Sequence, residues 1–196
     1  MKILGINYLS ESSVALIEDG KLKYAISEER LNRVKNWWGN PIKAINYVLK
    51  ETNNKIKDID LFATHGSTCS KNFTPTKNIF NNKIKEIQLS KLDSTKKNIQ
   101  INFLKKRFKK ESSARQRNAI NIETLKKKYK KLDIHDHHEA HAASAYFYSG
   151  WSKCYVLTID GWGDDSSSKL YKANNGKLTQ LSTTSSIDSL GYFYGS

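Results

Sequence analysis

Residues 4–26 read "LGINYLSESSVALIEDGKLKYAI" and residues 157–181 read "LTIDGWGDDSSSKLYKANNGKLTQL", and the two stretches repeat one order of parts. Each opens on a short apolar run, crosses a polar loop into a Ser-rich second run, turns at a glycine and leaves on "KL". The turns are Asp19-Gly20 and Asn175-Gly176, dipeptides that tolerate the positive φ values of a two-residue hairpin. A supersecondary unit that occurs twice in one chain implies a duplicated β-β-β unit, followed by helix and strand, in an α/β protein.

The segments around the first copy extend it. Asn40-Pro41 reads as a helix N-cap and first helical position, and Ile42, Ile45, Val48 and Leu49 form one stripe at helical spacing. "DIDLFATHG" (58–66) then restores a strand that ends at Gly66. Before the second copy, the Ala-rich "HHEAHAASAYFYS" (137–149) reads as a helix and "CYVLTID" (154–160) as a buried strand.

Between the copies lies an insert at about 71–133. It holds 19 Lys and Arg against 5 Asp and Glu, whereas the rest of the chain holds 14 of each, so the net charge of +14 describes the insert and not the fold. Its pieces "FLKKRFKKE" and "IETLKKKYKKL" are compatible with helices, Leu125 and Tyr129 being spaced for one face. The insert is expected to be loosely packed or helical and to lie away from the functional site.

At 196 residues and 38% hydrophobic content the chain can build a core. No run approaches the ~18 apolar residues of a membrane span, and "ILGINYL" is too short and interrupted for a secretory signal. Cys69 and Cys154 stand far apart, without a CxxC-type pair, which points to a reducing, cytoplasmic setting and away from a thiolate metal site.

Four of the five histidines fall in "HDHHEAH" (135–141). On a helix, His137 and His141 are i and i+4 and share a face one turn apart, able to grip one ion, while His138 points elsewhere. A bare HxxxH is more often an exposed helix start than a site. What changes the weighing is Asp160, the carboxylate closing the strand that follows. Two imidazoles and one carboxylate with open positions make the donor set of non-haem iron, and zinc accepts the same ligand types.

The loops after the two apolar runs carry Ser12 and Ser13 in one copy and Gly161 and Gly163 in the other, where backbone N–H groups can meet phosphate. Asp164 and Asp165 would repel phosphate and are better suited to orient a metal, a water or a ribose. In "EERLNRVK" (28–35) the bases Arg30, Arg33 and Lys35 sit just past a strand end, where a phosphate-bearing ligand would need cations. His65 and Trp37-Trp38 read as structural.

"KILGIN", "SSVALIEDGKLKYAISEERLNRVK", "HHEAHAASAYFYSG", "LTIDGWGDDSSS" and "SLGYFY" occur in an order that resembles the N-terminal motifs of the NodU/CmcH-type carbamoyltransferases. The resemblance spans nearly the whole chain apart from the insert. One departure is Ser10-Glu11-Ser12-Ser13, where the family usually has His-Asp-Ser/Ala-Ser. The resemblance implies an actin-like, ribonuclease H-like duplicated β-β-β-α-β-α fold with its second half incomplete. It also implies His137, His141 and Asp160 as iron ligands, and Lys35 facing the phosphate of a carbamoyl-adenylate made from carbamoyl phosphate and ATP. The carbamoyl group would pass to a small-molecule hydroxyl. On this reading the chain is a C-terminally truncated piece without its adenylate-forming domain, inactive alone and served by a separately encoded remainder. Two rival classes are an actin-like ATPase or sugar kinase, which has no use for two helical histidines, and a basic nucleic-acid binder. The second would give non-specific, salt-sensitive binding.

Overall fold

The computed structural model describes residues 1–66 and 74–191. Cys69 and the end of "SLGYFY" lie outside the described residues. The chain divides into two compact units, Met1–Gly66 with Ile120–His135 and Ser67–Ala119 with Asp136–Ser196. In chain order the elements begin with β1 (Lys2–Asn7), β2 (Ser13–Glu18), β3 (Lys21–Ser27), α1 (Glu29–Asn32), α2 (Ile42–Glu51) and β4 (Leu61–His65). There follow α3 (Thr74–Leu89), α4 (Ser94–Lys128), β5 (Leu132–His135) and α5 (His137–Ser149), then β6 (Lys153–Gly163), β7 (Ser166–Asn174) and β8 (Lys177–Ser185).

The first unit is a five-stranded mixed sheet in the order β3-β2-β1-β4-β5. Strands β1, β2 and β3 run antiparallel, β2 and β3 joined by the Asp19-Gly20 turn, whose φ values of 49° and 76° are those the dipeptide permits. Strands β4 and β5 join parallel to β1, which requires crossovers, and these are supplied by α2 and by the long insert. The α/β class and the β-β-β-α-β-α order are those expected. Leu4 and Ile6 of β1 and Val14 and Leu16 of β2 face inward by strand alternation, and Ala44, Ile45, Val48 and Leu49 of α2 are buried, α2 packing on β2 and β3.

The start of α2 differs in detail from the Asn40-Pro41 cap: the helix begins at Ile42 and no local side chain caps it. The buried Glu28 does so from a distance, its carboxylate accepting from Lys43 N (3.3 Å) and Ala44 N (2.8 Å). A carboxylate at a helix N-terminus satisfies orphan N–H groups and meets the positive end of the helix dipole. Glu28 is therefore structural, although the bases that follow it in sequence read as phosphate-facing. His65 is structural as expected, its Nε2 3.0 Å from Asn7 Oδ1 and its ring stacked on Tyr8.

The insert is helical. Its C-terminal end belongs to the first unit, where Leu125 and Tyr129 are buried as their spacing predicts, and Tyr129 stacks on Phe62 with centroids 4.2 Å apart. Its earlier part belongs to the second unit, where Phe80 of α3 and Leu104 of α4 close around Ile187. Arg107 Nη1 donates to Ile187 O (3.0 Å), and Lys83 pairs with Asp188 (3.1 Å). Of the two expected alternatives the helical one is met, and the helices are packed as well, because a few apolar residues among the lysines find a common neighbour.

The sheet of the second unit is a meander in the order β6-β7-β8, turning at Asn175-Gly176 with φ of 47° and 82°. Helix α5 covers one face of β6 and β7, and its Ala142 and Tyr146 join Val156, Tyr171 and Ala173 in a core that the half-buried Cys154 flanks. Both copies of the sequence repeat are therefore three-stranded antiparallel meanders. In one respect β6 departs from the expected buried strand. Tyr155, Leu157 and Ile159 are more than half exposed, since among the described residues nothing packs on the face opposite α5.

Candidate metal centre

The rotation of α5 about its axis sets the site. His138, Ala142 and Tyr146 recur at four-residue spacing and are all buried against the sheet. His138 is 0% exposed, with Nδ1 2.9 Å from Thr158 Oγ1 and Nε2 3.2 Å from Ser166 O. Burial, the largest influence, pushes its imidazole below the ordinary value and favours the neutral ring. With that stripe fixed, His137 and His141 occupy the neighbouring face.

The helix start is fixed as well. Asp136 caps it, accepting from Glu139 N (3.0 Å), and also binds Lys169 Nζ at 2.7 Å. Asp164 Oδ2 accepts from His137 N at 2.8 Å. Asp164 and Asp165 take left-handed φ values of 49° and 71°, which fold the loop after β6 back onto the helix. Asp164 is expected from sequence to orient a metal, a water or a ribose; what the structure shows is its hold on the backbone N–H of a candidate ligand. The D-x-x-E pattern of Asp136 and Glu139 was available as a capping signal. The Asp164 contact was not, because it depends on loop dihedrals that no spacing encodes.

The structure brings together His137, His141 and Asp160, whose ligand atoms all lie within 4.8 Å of one another. His137 Nε2 stands 2.8 Å from Asp160 Oδ2 and 3.0 Å from His141 Nε2, and His141 Nε2 stands 3.6 Å from Asp160 Oδ2. Hydrogen bonds from His137, then from His141, hold the Asp160 carboxyl well below the usual carboxylate range. Its Oδ1 accepts from Gly161 N at 2.5 Å, which leaves Oδ2 to face the imidazoles, and Ser189 Oγ donates to its carbonyl at 3.2 Å. Side-chain exposures of 20% for His137, 38% for Asp160 and 54% for His141 leave the cluster open on one side. Neither His135 nor His138 belongs to it.

The donor set fits a divalent ion. Ligands at ~2.1 Å separated by ~90–110° stand ~3.0–3.4 Å apart, close to the three separations observed. Two nitrogens and one oxygen on an open face suit iron or zinc with positions free for other ligands.

The remaining candidates fall in two places. In the first unit, Lys35 lines an open depression of about 340 Å³ with Glu29, Arg30 and Arg33. Ser12 is buried, its N donating to Trp37 O (3.1 Å) and its O accepting from Glu28 N (2.9 Å), so it staples neighbouring loops. Ser13 opens β2 and is half-buried. In the second unit, Gly161 has open space where a side chain would stand, whereas Gly163 lies against the His137 ring.

Fold and site together define an α/β protein built on a repeated β-β-β unit and carrying a two-histidine, one-carboxylate cluster at the junction of a helix and a strand end. Comparison with known sequences gives the family. The chain belongs to the family described as Carbamoyltransferase N-terminus, whose model matches residues 2–196. It is similar to Nodulation protein NolNO of Sinorhizobium fredii, 27% identical over 187 residues covering 95% of this chain and 25% of that protein. It is also similar to the uncharacterized protein sll1178 of Synechocystis sp., 27% identical over 205 residues covering 98% and 30%. The chain spans between a quarter and a third of the length of these relatives. Among solved structures, YeaZ from Pseudomonas aeruginosa aligns with 94% of this chain and 66% of its own, at 15% identity and a TM-score of 0.42. Among the described residues, no helix is long and apolar enough to cross a membrane.

Proposed function

We propose that the chain is the N-terminal portion of a metal-dependent O-carbamoyltransferase acting in the cytoplasm, with His137, His141 and Asp160 holding Fe(II), or Zn(II) as the alternative. The observation that carries this reading is the convergence of the three donor atoms, in a chain of this family. A bound ion supplies Lewis-acid polarisation of the carbamoyl carbonyl and lowers the pKa of an acceptor hydroxyl. The chain's own residues hold and orient. Asp164 and the Asp136 cap fix the start of α5, the His138 stripe sets its rotation, and Gly161 N holds the Asp160 carboxylate by its outer oxygen.

In the first unit, Arg30, Arg33 and Lys35 offer cations for the phosphate of a carbamoyl-adenylate formed from carbamoyl phosphate and ATP. The loops around Ser13 and Gly161 are where we place the phosphate oxygens, the Gly161 N–H itself being held by Asp160 Oδ1. The acceptor is a small-molecule hydroxyl, and formation of the adenylate falls to a part of the enzyme beyond this chain.

The test is anaerobic reconstitution with Fe(II), and separately with Zn(II), followed by metal analysis of the protein and of its His137→Ala, Asp160→Ala and His135→Ala variants. One ion per chain, lost in the first two variants and kept in the third, is expected. Equal loss on His135→Ala would mean a loosely chelating histidine tract and overturn the reading.

A further inference from the structure

We propose that Gly163 is a positioning residue of this centre: the space left by its missing side chain is where the His137 imidazole stands, and it aims that ring at Asp160 and His141. The inference rests on the metal reading above and assigns the glycine a part in it. A Cβ built at position 163 would meet His137 Cδ2 at 2.0 Å, Cγ at 2.3 Å and Nε2 at 2.7 Å. All three lie far inside ordinary contact, so ring and side chain exclude each other.

The backbone does not ask for glycine here. Gly163 is absent from the residues with positive φ and pairs with Ser166 at the end of β6, after the irregular register that follows Ile159. A close approach, not a dihedral, therefore explains the residue. Gly161, two positions earlier, has nothing within 4 Å of a built Cβ, so the requirement is local to 163.

His137 has little freedom to yield by moving its backbone. Its N–H is bound to Asp164, its neighbour Asp136 caps the helix, and His138 is buried between Thr158 and Ser166. A methyl group at 163 must therefore turn the ring. Turning it takes Nε2 from its place 2.8 Å from Asp160 Oδ2 and 3.0 Å from His141 Nε2. Groups that orient metal ligands typically change affinity 10–100-fold when altered.

The experiment uses Co(II) as a spectroscopic probe and four proteins: the unaltered chain, Gly163→Ala, His137→Ala and the double variant. Gly163→Ala should bind Co(II) about 10–100-fold more weakly and with an altered visible ligand-field band. In metal-free melts it should lower the Tm of the unaltered chain and leave that of His137→Ala unchanged, because truncating the His137 ring to a methyl group vacates the space. Should Gly163→Ala fail to fold, the double variant should fold. Equal Tm losses in both backgrounds, failure of the double variant to fold, or unaltered Co(II) affinity and spectrum in Gly163→Ala would each overturn the proposal. Unaltered Co(II) binding by His137→Ala would instead overturn the metal reading, and the melts would still report on the contact.

Discussion

Histidines close together on α5 have separate duties, and removing them should show in different assays. His138 is enclosed and bonded to Thr158 and Ser166, whereas His141 is more than half exposed and reaches toward His137 and Asp160. His138→Ala leaves a cavity and takes a partner from the Ser166 carbonyl, the Thr158 hydroxyl keeping Lys169 O, so we expect a loss of about 2–4 kcal/mol in urea unfolding. His141→Ala should change stability by less than about 1 kcal/mol while abolishing metal retention. Comparable stability losses for both would show that the stripe formed by His138, Ala142 and Tyr146 does not set the helix rotation. At this scale the His137 and His141 pair was legible because helical spacing is a one-dimensional signal, and Asp160 because it closes an apolar run. Gly163 reads, from sequence, as a phosphate-facing glycine. Its contact with the His137 ring depends on where β6 meets α5, which no local pattern records.

Among the elements, α3 and α4 matter most for what lies between them and Asp160. Phe80 and Leu104 close on Ile187, and Arg107 and Lys83 hold Ile187 O and Asp188. The chain then runs directly to Ser189, which bonds the Asp160 carbonyl, and to Gly191, where a Cβ would fall 2.7 Å from that oxygen. The segment 186–191 is thus a strap between the insert and a candidate ligand. Leu104→Ala is expected to cost about 2–3 kcal/mol by urea denaturation. It should also weaken Fe(II) binding measured anaerobically. Destabilisation with unchanged affinity would show the strap to be held without the insert. The helix bounds of α5 and the two hairpin turns were legible, since Ala content, Asn-Gly and Asp-Gly act locally. The packing of the insert was not, because lysines surround its apolar residues on every side and the residues that meet Ile187 lie far from it in sequence.

For the molecule as a whole, the internal repeat made the fold class legible, because turn chemistry and strand alternation both appear twice. Exposure of one face of β6 was not legible: "CYVLTID" is apolar whatever covers it, and coverage is a property of other segments. That exposed row of Tyr155, Leu157 and Ile159, on a strand at the edge of its sheet, has a colloidal consequence. A net charge of +14 keeps copies of the chain apart at long range. Salt shortens that range, from a Debye length of ~30 Å at 0.01 M to ~8 Å at 0.15 M and ~3 Å at 1 M. Light scattering at fixed protein concentration should therefore show the chain dispersed in dilute buffer and associating as sodium chloride is added, the opposite of the salting-in expected of an ordinary surface. Leu157→Lys should keep it dispersed throughout. Association that fades with salt would point to charge pairing between copies, and would leave the apolar row without a part in it.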